Sequence, residues 1–294
     1  MSQKTAIRHL ILSMLIYGTI GLVRRMLPVS SAFLAMSRGF LGAGFLYLAM
    51  RIKRTRFSAA ACRGSFRYLI LSGMLIGLNW ILLFESYQYV TVATATLCYY
   101  MAPVFVMLLS PLLLRERLRM VHMLCILLAL MGMALLSGVF SFAGQVHPLG
   151  ILLGLGAALL YASVILVNKK IPPMPAMEKT IIQLLFAGLS TLPYVWLRDS
   201  APLSLTPQSI CLLLLIGLIH TGIAYLLYFG AIPYLPARTV SVISYLDPLV
   251  AVLLSCTVLH EPLGITGFLG CLCILTACIL VETIPATPKK GASL

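Results

Sequence analysis

Residues 100–118 read YMAPVFVMLLSPLLLRERL, and residues 245–263 read YLDPLVAVLLSCTVLHEPL. The two stretches align without a gap at an offset of 145 residues. Their identical positions include Tyr100 and Tyr245, Pro103 and Pro248, Glu116 and Glu261, and Leu118 and Leu263. Each stretch is an apolar run that ends at a charged segment, the pattern of a membrane helix and the loop after it. The constant offset predicts an internal repeat.

The composition of the whole chain requires a lipid environment. Of its 294 residues, 61% are hydrophobic and only 10% are charged, whereas an average soluble domain is about a quarter charged. A water-soluble fold of this length needs more polar side chains than that to cover its surface. The sequence therefore predicts an all-α membrane protein without a soluble domain.

The net charge of +14 would suggest a nucleic-acid partner in a soluble protein. Here the basic residues fall in short clusters between apolar runs, as in residues 51–56 and 115–119. Membrane proteins place Lys and Arg in this way because positive loops stay in the cytoplasm. We therefore expect a lipid bilayer as the partner of these charges, and no nucleic acid.

Breaker residues divide the apolar sequence into ten candidate transmembrane helices. A helix needs about 20 mainly apolar residues to cross a bilayer. The predicted spans cover residues 8–24, 31–50, 67–89, 91–113, 120–140, 148–168, 177–197, 208–229, 238–259 and 264–283.

The distribution of basic residues predicts the orientation of these spans. If the N-terminus is inside, 17 of the 21 Lys and Arg residues lie in cytoplasmic segments, three lie outside and Arg38 lies within a span. Positive residues are enriched in cytoplasmic loops. We expect a multi-pass protein of the cell membrane, in a bacterium the plasma membrane, with both termini cytoplasmic.

The ten spans form two repeats of five, at residues 8–140 and 148–284, followed by a cytoplasmic tail at residues 285–294. The offset of 145 also matches Gly77 with Gly222, Leu82 with Leu227, Phe84 with Phe229 and Tyr89 with Tyr234, and an offset of 144 matches Tyr17 with Tyr161. Because five is odd, the second repeat enters the membrane from the opposite side. Inverted repeats are typical of secondary transporters, which bind substrate near the midplane between the repeats.

The stretch from Ala93 to Pro103, followed by residues 115–118, resembles the end of an EamA repeat, and residues 244–248 followed by 260–263 resemble it again. The chain thus resembles the drug/metabolite transporter superfamily over nearly its whole length. The resemblance implies alternating-access transport of a small metabolite, amino acid or drug, often outward. It makes Glu116 and Glu261 motif residues at the membrane surface, outside the substrate site.

Asp247 is the most informative ionisable residue inside a span. It lies about ten residues into the ninth span, or about 15 Å along a helix and near the bilayer centre. Pro248 follows it, frees a carbonyl one turn earlier and predicts a kink. Since Ala102 occupies the equivalent position of the first repeat, symmetry does not require a carboxylate here. Asp247 could bind a cationic group or a proton, or it could pair structurally with His220 of the eighth span.

Arg38 and Glu85 lie at similar predicted depths, in the second and third spans. An unpaired Arg inside a membrane is costly, so the sequence predicts a structural ion pair between them. A Glu85 side chain that faces the cavity is the alternative.

Several polar and aromatic side chains are candidates for the cavity wall. Thr96, Tyr99 and Tyr100 share a helical face with Pro103, and the repeat places Ser241, Ser244 and Tyr245 on the matching face. Interhelical hydrogen bonding is the alternative role for such hydroxyls. The remaining candidates are Asn79, and the aromatic residues Trp80 and Tyr17, which could stack on a flat or cationic substrate or form a packed core.

The sequence favours a secondary transporter, with export as the expected direction, over an intramembrane enzyme or a membrane sensor. No GxxxxGK[ST] motif, zinc-binding HExxH motif or CxxC pair is present, so no cofactor, metal or catalytic residue is assigned. The expected partner is a small polar or amphipathic molecule, with protons as a candidate coupling ion. The sequence leaves the substrate and the oligomeric state open.

Overall fold

The computed structural model describes residues 1–20, 23, 26–27, 29–54, 62–90, 95, 98–114, 120–136, 147–172, 174–198, 206–258 and 265–283. Within these ranges the protein consists of helices and connecting turns, with no strand. The prediction of an all-α membrane fold is confirmed.

Among the described residues, twelve α-helical segments occupy the ten predicted spans, and the eighth and ninth spans contain two segments each. They are α1 (Gln3–Gly18), α2 (Ser31–Ile52), α3 (Phe66–Tyr89), α4 (Ala102–Leu114), α5 (Met120–Leu136), α6 (Pro148–Lys170), α7 (Ala176–Arg198), α8 (Pro207–Leu215), α9 (Ala224–Ala231), α10 (Ala237–Ile243), α11 (Leu246–Val258) and α12 (Ile265–Thr283).

The helix starts follow from side-chain caps and prolines. Ser2 and Ser30 accept hydrogen bonds from the backbone N–H groups of the residues three positions later, at 3.2 and 3.0 Å, and Pro148 and Pro207 occupy first-turn positions. The cap at Ser2 explains why α1 begins at Gln3, five residues before the predicted start of the first span.

In the part of the chain that the structure describes, five helical stretches are long and apolar enough to cross a membrane: Ala32–Ile52, Phe66–Tyr89, Pro148–Lys170, Ala176–Leu197 and Pro207–Tyr234. Shorter apolar helices occupy the fourth, fifth and tenth spans. Exposed leucines cover their outer faces, as expected where hydrocarbon replaces water.

The packing of the helices has the symmetry of two related halves. Helix α6 packs on α3 and α4, and α1 packs in the same way on α9 and α11. Helix α7 packs against α2 and α3, while α2 also packs against the segment between α8 and α9. Helix α5 packs along α12, its equivalent in the other half, and α4 contacts α10. The two repeats therefore contact each other along most of the bundle, and the fourth and ninth spans meet within this interface.

The eighth span leaves α-helical geometry twice. Residues Ile216–Ile223 between α8 and α9 form a π-helix, and Ile232–Tyr234 form a 3₁₀ turn after α9. The π-helix approaches α2 closely, since a Cβ atom on Gly217 would lie 2.5 Å from the Leu41 Cβ atom. Segments of π-helix within longer helices are often found at functional sites.

Candidate functional site

Both repeats interrupt a helix at the equivalent position. In the ninth span, α10 ends at Ile243 and α11 begins at Leu246, with a turn at Ser244 and Tyr245. In the fourth span, a turn at residues 100–101 precedes α4. Proline explains both breaks, because Pro103 and Pro248 cannot donate to the carbonyl four residues earlier. The kink predicted at Pro248 is thus a complete interruption with a counterpart in the first repeat.

The two interruptions meet inside the bundle. The Tyr245 hydroxyl donates to the backbone carbonyl of Tyr100 at 3.0 Å, and the two rings lie 6.3 Å apart. Asp247 lies in the first turn of α11, and the Tyr100 hydroxyl is the hydrogen-bonding neighbour of its carboxylate. The helix N-terminus at this point favours a negative charge. A carboxylate and two phenols therefore share the repeat interface.

A continuous set of aromatic rings connects this point to the other helices. We call it the aromatic cleft, formed by Tyr17, Trp80, Tyr99, Tyr100, Tyr161, Tyr225 and Tyr228 together with Asp247. Tyr99 lies 5.6 Å from Tyr161, which stacks on Tyr228 at 6.3 Å and donates to its hydroxyl at 2.7 Å. Five of these members (Tyr17, Tyr99, Tyr100, Tyr161 and Asp247) keep partial exposure although they lie between helices.

The other side of the cleft is built around Tyr17 and Trp80. The ring of Tyr225 lies 5.5 Å from that of Tyr17 and 6.2 Å from that of Trp80, both in edge-to-face geometry. The Tyr17 hydroxyl is buried and finds no hydrogen-bond partner among the described residues. A buried donor of this kind is costly unless a ligand or water pairs with it.

Arg38 borders the cleft at Trp80. Its guanidinium carbon lies 4.4 Å from the centre of the Trp80 ring, and its Nε donates to the Thr221 hydroxyl at 3.2 Å. Both Arg38 and Asp247 interact electrostatically with Tyr17 and Tyr225. The cleft therefore has a cationic side and an anionic side around shared aromatic rings.

The ion pair predicted between Arg38 and Glu85 is absent from the contacts of the described residues. Glu85 instead accepts hydrogen bonds from the hydroxyl of Tyr194 on α7 and from Gln88 at 3.2 Å. The reason is helix rotation. Trp80 meets Arg38, and Glu85 lies five residues later, which turns it about 140° around the helix.

His220 and Asp247 also have separate partners within the described chain. His220 Nε2 lies 2.7 Å from the Thr19 hydroxyl, and its Nδ1 lies 3.4 Å from the Leu215 carbonyl. The π-helix aims His220 at α1 and Thr221 at Arg38 of α2. His220 therefore supports the packing beside the cleft, and the structural pairing considered for Asp247 is not formed.

The hydroxyl stripe predicted along the fourth and ninth spans is divided between two roles. Tyr99 and Tyr100 line the cleft, and Ser244 borders it beside Tyr228. The Ser241 and Ser244 hydroxyls donate to carbonyls of their own helix, at 2.8 and 2.7 Å. Thr96, Glu116 and Glu261 lie outside the described residues.

Asn79 belongs to a helix contact and not to the cleft. Its side-chain amide donates to the Ala157 carbonyl on α6 at 2.6 Å, and the residue is 2% exposed. The alternative of interhelical hydrogen bonding therefore describes its position.

Comparison with known proteins agrees with this architecture. The model of the EamA-like transporter family matches residues 5–138 and again residues 148–283. The chain belongs to the EamA-like transporter family. Relatives from Bacillus subtilis include the uncharacterized transporter YxxF, 30% identical over 258 residues that cover 86% of this chain and 81% of YxxF. Another is the uncharacterized transporter YwfM, 26% identical over 94% of this chain and 93% of YwfM.

A further relative of this EamA-like transporter is protein PecM of Dickeya dadantii, 26% identical over 76% of each chain. A solved crystal structure superposes with a TM-score of 0.81 at 20% identity, covering 94% of this chain and 98% of its own. At that identity the match supports the fold alone. The resemblance read from the two repeat ends is thus confirmed.

Sequence reasoning missed Tyr225 and Tyr228 as members of the site in this EamA-like transporter. The repeat contained a signal for the first, because the offset of 145 that aligns Tyr100 with Tyr245 also aligns Trp80 with Tyr225. The structure places Trp80 and Tyr225 in contact, as it does Tyr100 and Tyr245. Aromatic residues at equivalent positions of inverted repeats meet where the repeats meet.

Proposed function

We propose that this EamA-like transporter is a secondary transporter that moves a small amphipathic organic molecule through the aromatic cleft by alternating access. The supporting observation is the meeting of two interrupted helices, at Tyr100 and Tyr245, beside the carboxylate of Asp247. Secondary transporters commonly bind substrate at discontinuous helices between inverted repeats.

The chemistry of the cleft supports a substrate with a flat apolar part and a cationic group. Trp80 and the tyrosines offer ring faces and edges for stacking and for cation–π contacts. Asp247 offers a carboxylate. The Tyr17 hydroxyl offers a buried hydrogen-bond donor that has no partner among the described residues. Arg38 would attract a carboxylate of the same substrate. A proton on Asp247 is the alternative use of that side chain, and would couple transport to a pH gradient.

Tight packing at the end of the bundle where α1 begins supports a direction of access. At the end where α1 begins, Ala6, Leu10 and Met14 are at most 1% exposed, and they face Phe229 and Ile232, which are fully buried. Five residues of the aromatic cleft, including Tyr99, Tyr100 and Asp247, remain partly exposed. With the N-terminus in the cytoplasm of a bacterial cell, as the basic residues suggest, this conformation is closed to the inside. Release of an exported substrate would occur from it.

Binding can be tested with the protein's own fluorescence. The chain has two tryptophans, and Trp196 is 86% exposed on the outer surface, so Trp196→Phe leaves Trp80 as the only indole. We expect tyramine, tyrosine and 4-hydroxyphenylpropionate, which share one ring and differ in charge, to change Trp80 emission unequally. The cation and the zwitterion should bind, and the anion should not.

Transport is tested in proteoliposomes with whichever radiolabelled probe binds. We expect saturable uptake that unlabelled probe on the opposite side accelerates, and a loss of that uptake in Asp247→Asn. A probe that binds beside Trp80 but enters proteoliposomes no faster than empty liposomes would contradict the proposal.

A further inference from the structure

A cavity lies apart from the aromatic cleft, at the end of the bundle where α1 begins. Its volume is about 370 Å³. The wall comes from the start of α1, the start of α7 with the residues just before it, and the end of α9 with its 3₁₀ turn. We call it the Lys179 cavity, because Lys179 is the one lysine or arginine among its lining residues. A volume above about 300 Å³ is in the range of small-molecule sites.

Lys179 is held in the wall by a single contact among the described residues. The side chain is 2% exposed, and its Nζ donates to the backbone carbonyl of Phe229 at 2.5 Å. That carbonyl lies in the last full turn of α9, where a positive charge is favourable. An ammonium has three protons to donate. Two of them therefore remain available toward the cavity.

No carboxylate in the described part of the chain lies within ion-pair distance of Lys179. The neighbouring Glu178 is not one of the lining residues, and its carboxylate accepts a hydrogen bond from the Cys62 thiol at 3.8 Å. The other described lining residues with polar groups are Met1 with its amino terminus, His9 and Tyr234, and none of them is a carboxylate. Buried ammonium groups are normally paired with an anion. The Lys179 cavity thus contains a buried amino group that has no carboxylate partner among the described residues.

The rest of the wall is mostly apolar. Met174, Leu226 and Leu227 line it with hydrocarbon, and Tyr234, at its rim, is 43% exposed. Tyrosine is enriched at the level of the lipid headgroups. Basic pockets between transmembrane helices at a membrane surface bind anionic headgroups. An occupant needs an anionic head for Lys179 and an apolar body for the wall.

We propose that the Lys179 cavity binds an anionic phospholipid, with its headgroup phosphate on the Lys179 ammonium and the first part of an acyl chain along Leu226 and Leu227. The inference is independent of the proposed transport function. A lipid in this position joins the start of α1 to α7 and α9, and it should stabilise the end of the bundle that is closed in this structure.

Lys169 provides a matched control for the charge. Its Nζ also donates to a backbone carbonyl of the same region, that of Leu235, but Lys169 does not line the cavity.

Purified protein is placed in phosphatidylcholine nanodiscs with or without phosphatidylglycerol, and retained lipid is counted by native mass spectrometry. We expect one retained phosphatidylglycerol on the wild type and on Lys169→Gln. Lys179→Gln should bind it about tenfold more weakly, as expected for one lost charge-assisted hydrogen bond.

A cavity-filling variant keeps the test decisive if Lys179→Gln does not fold. Ala176→Trp, in the first turn of α7, leaves Lys179 in place but fills the cavity, and it should also lose the retained lipid. Unchanged phosphatidylglycerol binding in either variant would overturn the proposal. So would displacement of the lipid by inorganic phosphate or glycerol 3-phosphate at low millimolar concentration, since a soluble anion would then be the occupant.

Discussion

The hydroxyl of Tyr245 donates a hydrogen bond of 3.0 Å to the backbone carbonyl of Tyr100, its own counterpart in the other repeat. The reverse bond is not formed in this conformation, because the Tyr100 hydroxyl is turned toward Asp247. Inverted repeats exchange conformations when a transporter changes its access side. The hydrogen bond between these two tyrosines should therefore differ between the inward-open and outward-open states.

Tyr245→Phe and Tyr100→Phe should separate the structural role from the binding role. Tyr245→Phe removes the bond between the two interruptions and should lower the free energy of unfolding by about 1 kcal/mol. Tyr100→Phe keeps the backbone carbonyl that accepts this bond, so its free energy of unfolding should change less. The affinity of this variant for a cationic probe should fall, because the hydroxyl beside Asp247 is lost. Denaturant unfolding in detergent and Trp80 fluorescence measure the two effects. Equal loss of stability in both variants would contradict the assignment.

Asp247→Asn should weaken the binding of cationic and zwitterionic probes about tenfold or more, with little effect on unfolding, because the amide keeps the shape of the carboxyl group. Trp80 fluorescence in the Trp196→Phe background gives the affinities. Glu85→Gln is the control, since Glu85 bonds to Tyr194 and Gln88 and takes no part in the aromatic cleft.

A different result for Asp247→Asn would identify proton coupling. A variant that binds and exchanges probe normally but no longer responds to a pH gradient would make Asp247 a proton carrier. A variant unchanged in affinity, rate and pH response would remove Asp247 from the mechanism, leaving Tyr17, Trp80 and the tyrosines around them as the site.

The sequence contained enough information for the spans, the repeat and a distortion of the helix at Pro248, which was predicted as a kink. These features depend on local chemistry, namely runs of apolar residues and a proline without an N–H group. The counterpart interruption at Tyr100 follows from the same argument applied to Pro103. The membrane fold and the family were predicted correctly for this reason.

The partners of the ionisable residues could not be predicted in the same way. Arg38 and Glu85 have similar depths, but the rotation of α3 sends Trp80 toward Arg38 and Glu85 toward Tyr194. The direction of the His220 side chain is set by a π-helix, which no pattern in the sequence predicted. Depth along a helix follows from counting residues, whereas the direction around it depends on tertiary packing.

The orientation in the membrane is tested by cysteine accessibility. Lys53, at the end of α2, and His147, before α6, are both exposed and lie at opposite ends of the bundle according to the predicted topology. In a background without the native cysteines, a membrane-impermeant maleimide should label His147→Cys in intact cells and Lys53→Cys only after lysis. Labelling of both from outside would contradict the inverted arrangement of the repeats.

A double-mutant cycle tests whether Arg38 and Glu85 interact. Because they share no partner in the described structure, the effects of Arg38→Met and Glu85→Gln on unfolding should add within about 0.5 kcal/mol. Arg38→Met should also change the emission of Trp80, whose ring its guanidinium covers, and Glu85→Gln should not. A coupling energy well above that value would restore the ion pair that the sequence suggested.

The closeness of α1 and α11 at the cleft depends on the absence of a side chain at Gly18. A Cβ atom there would lie 2.5 Å from the Val250 Cβ atom and 2.8 Å from the Asp247 carbonyl oxygen. Gly18→Ala should therefore push α11 away and destabilise the protein by about 1–3 kcal/mol, as overpacking does.

Gly44, within α2, is the matched control for Gly18. A Cβ atom at Gly44 meets nothing within 4 Å, so Gly44→Ala should be neutral or stabilise the helix by up to about 1 kcal/mol. Since Asp247 is in contact with Gly18 through its backbone, Gly18→Ala should also shift the carboxylate and weaken probe binding beside Trp80, whereas Gly44→Ala should leave the affinity unchanged. Unfolding and fluorescence titration of the two variants measure these effects. Equal stability and affinity in both would show that the contact between α1 and α11 is looser than the structure indicates, and that the position of Asp247 does not depend on it.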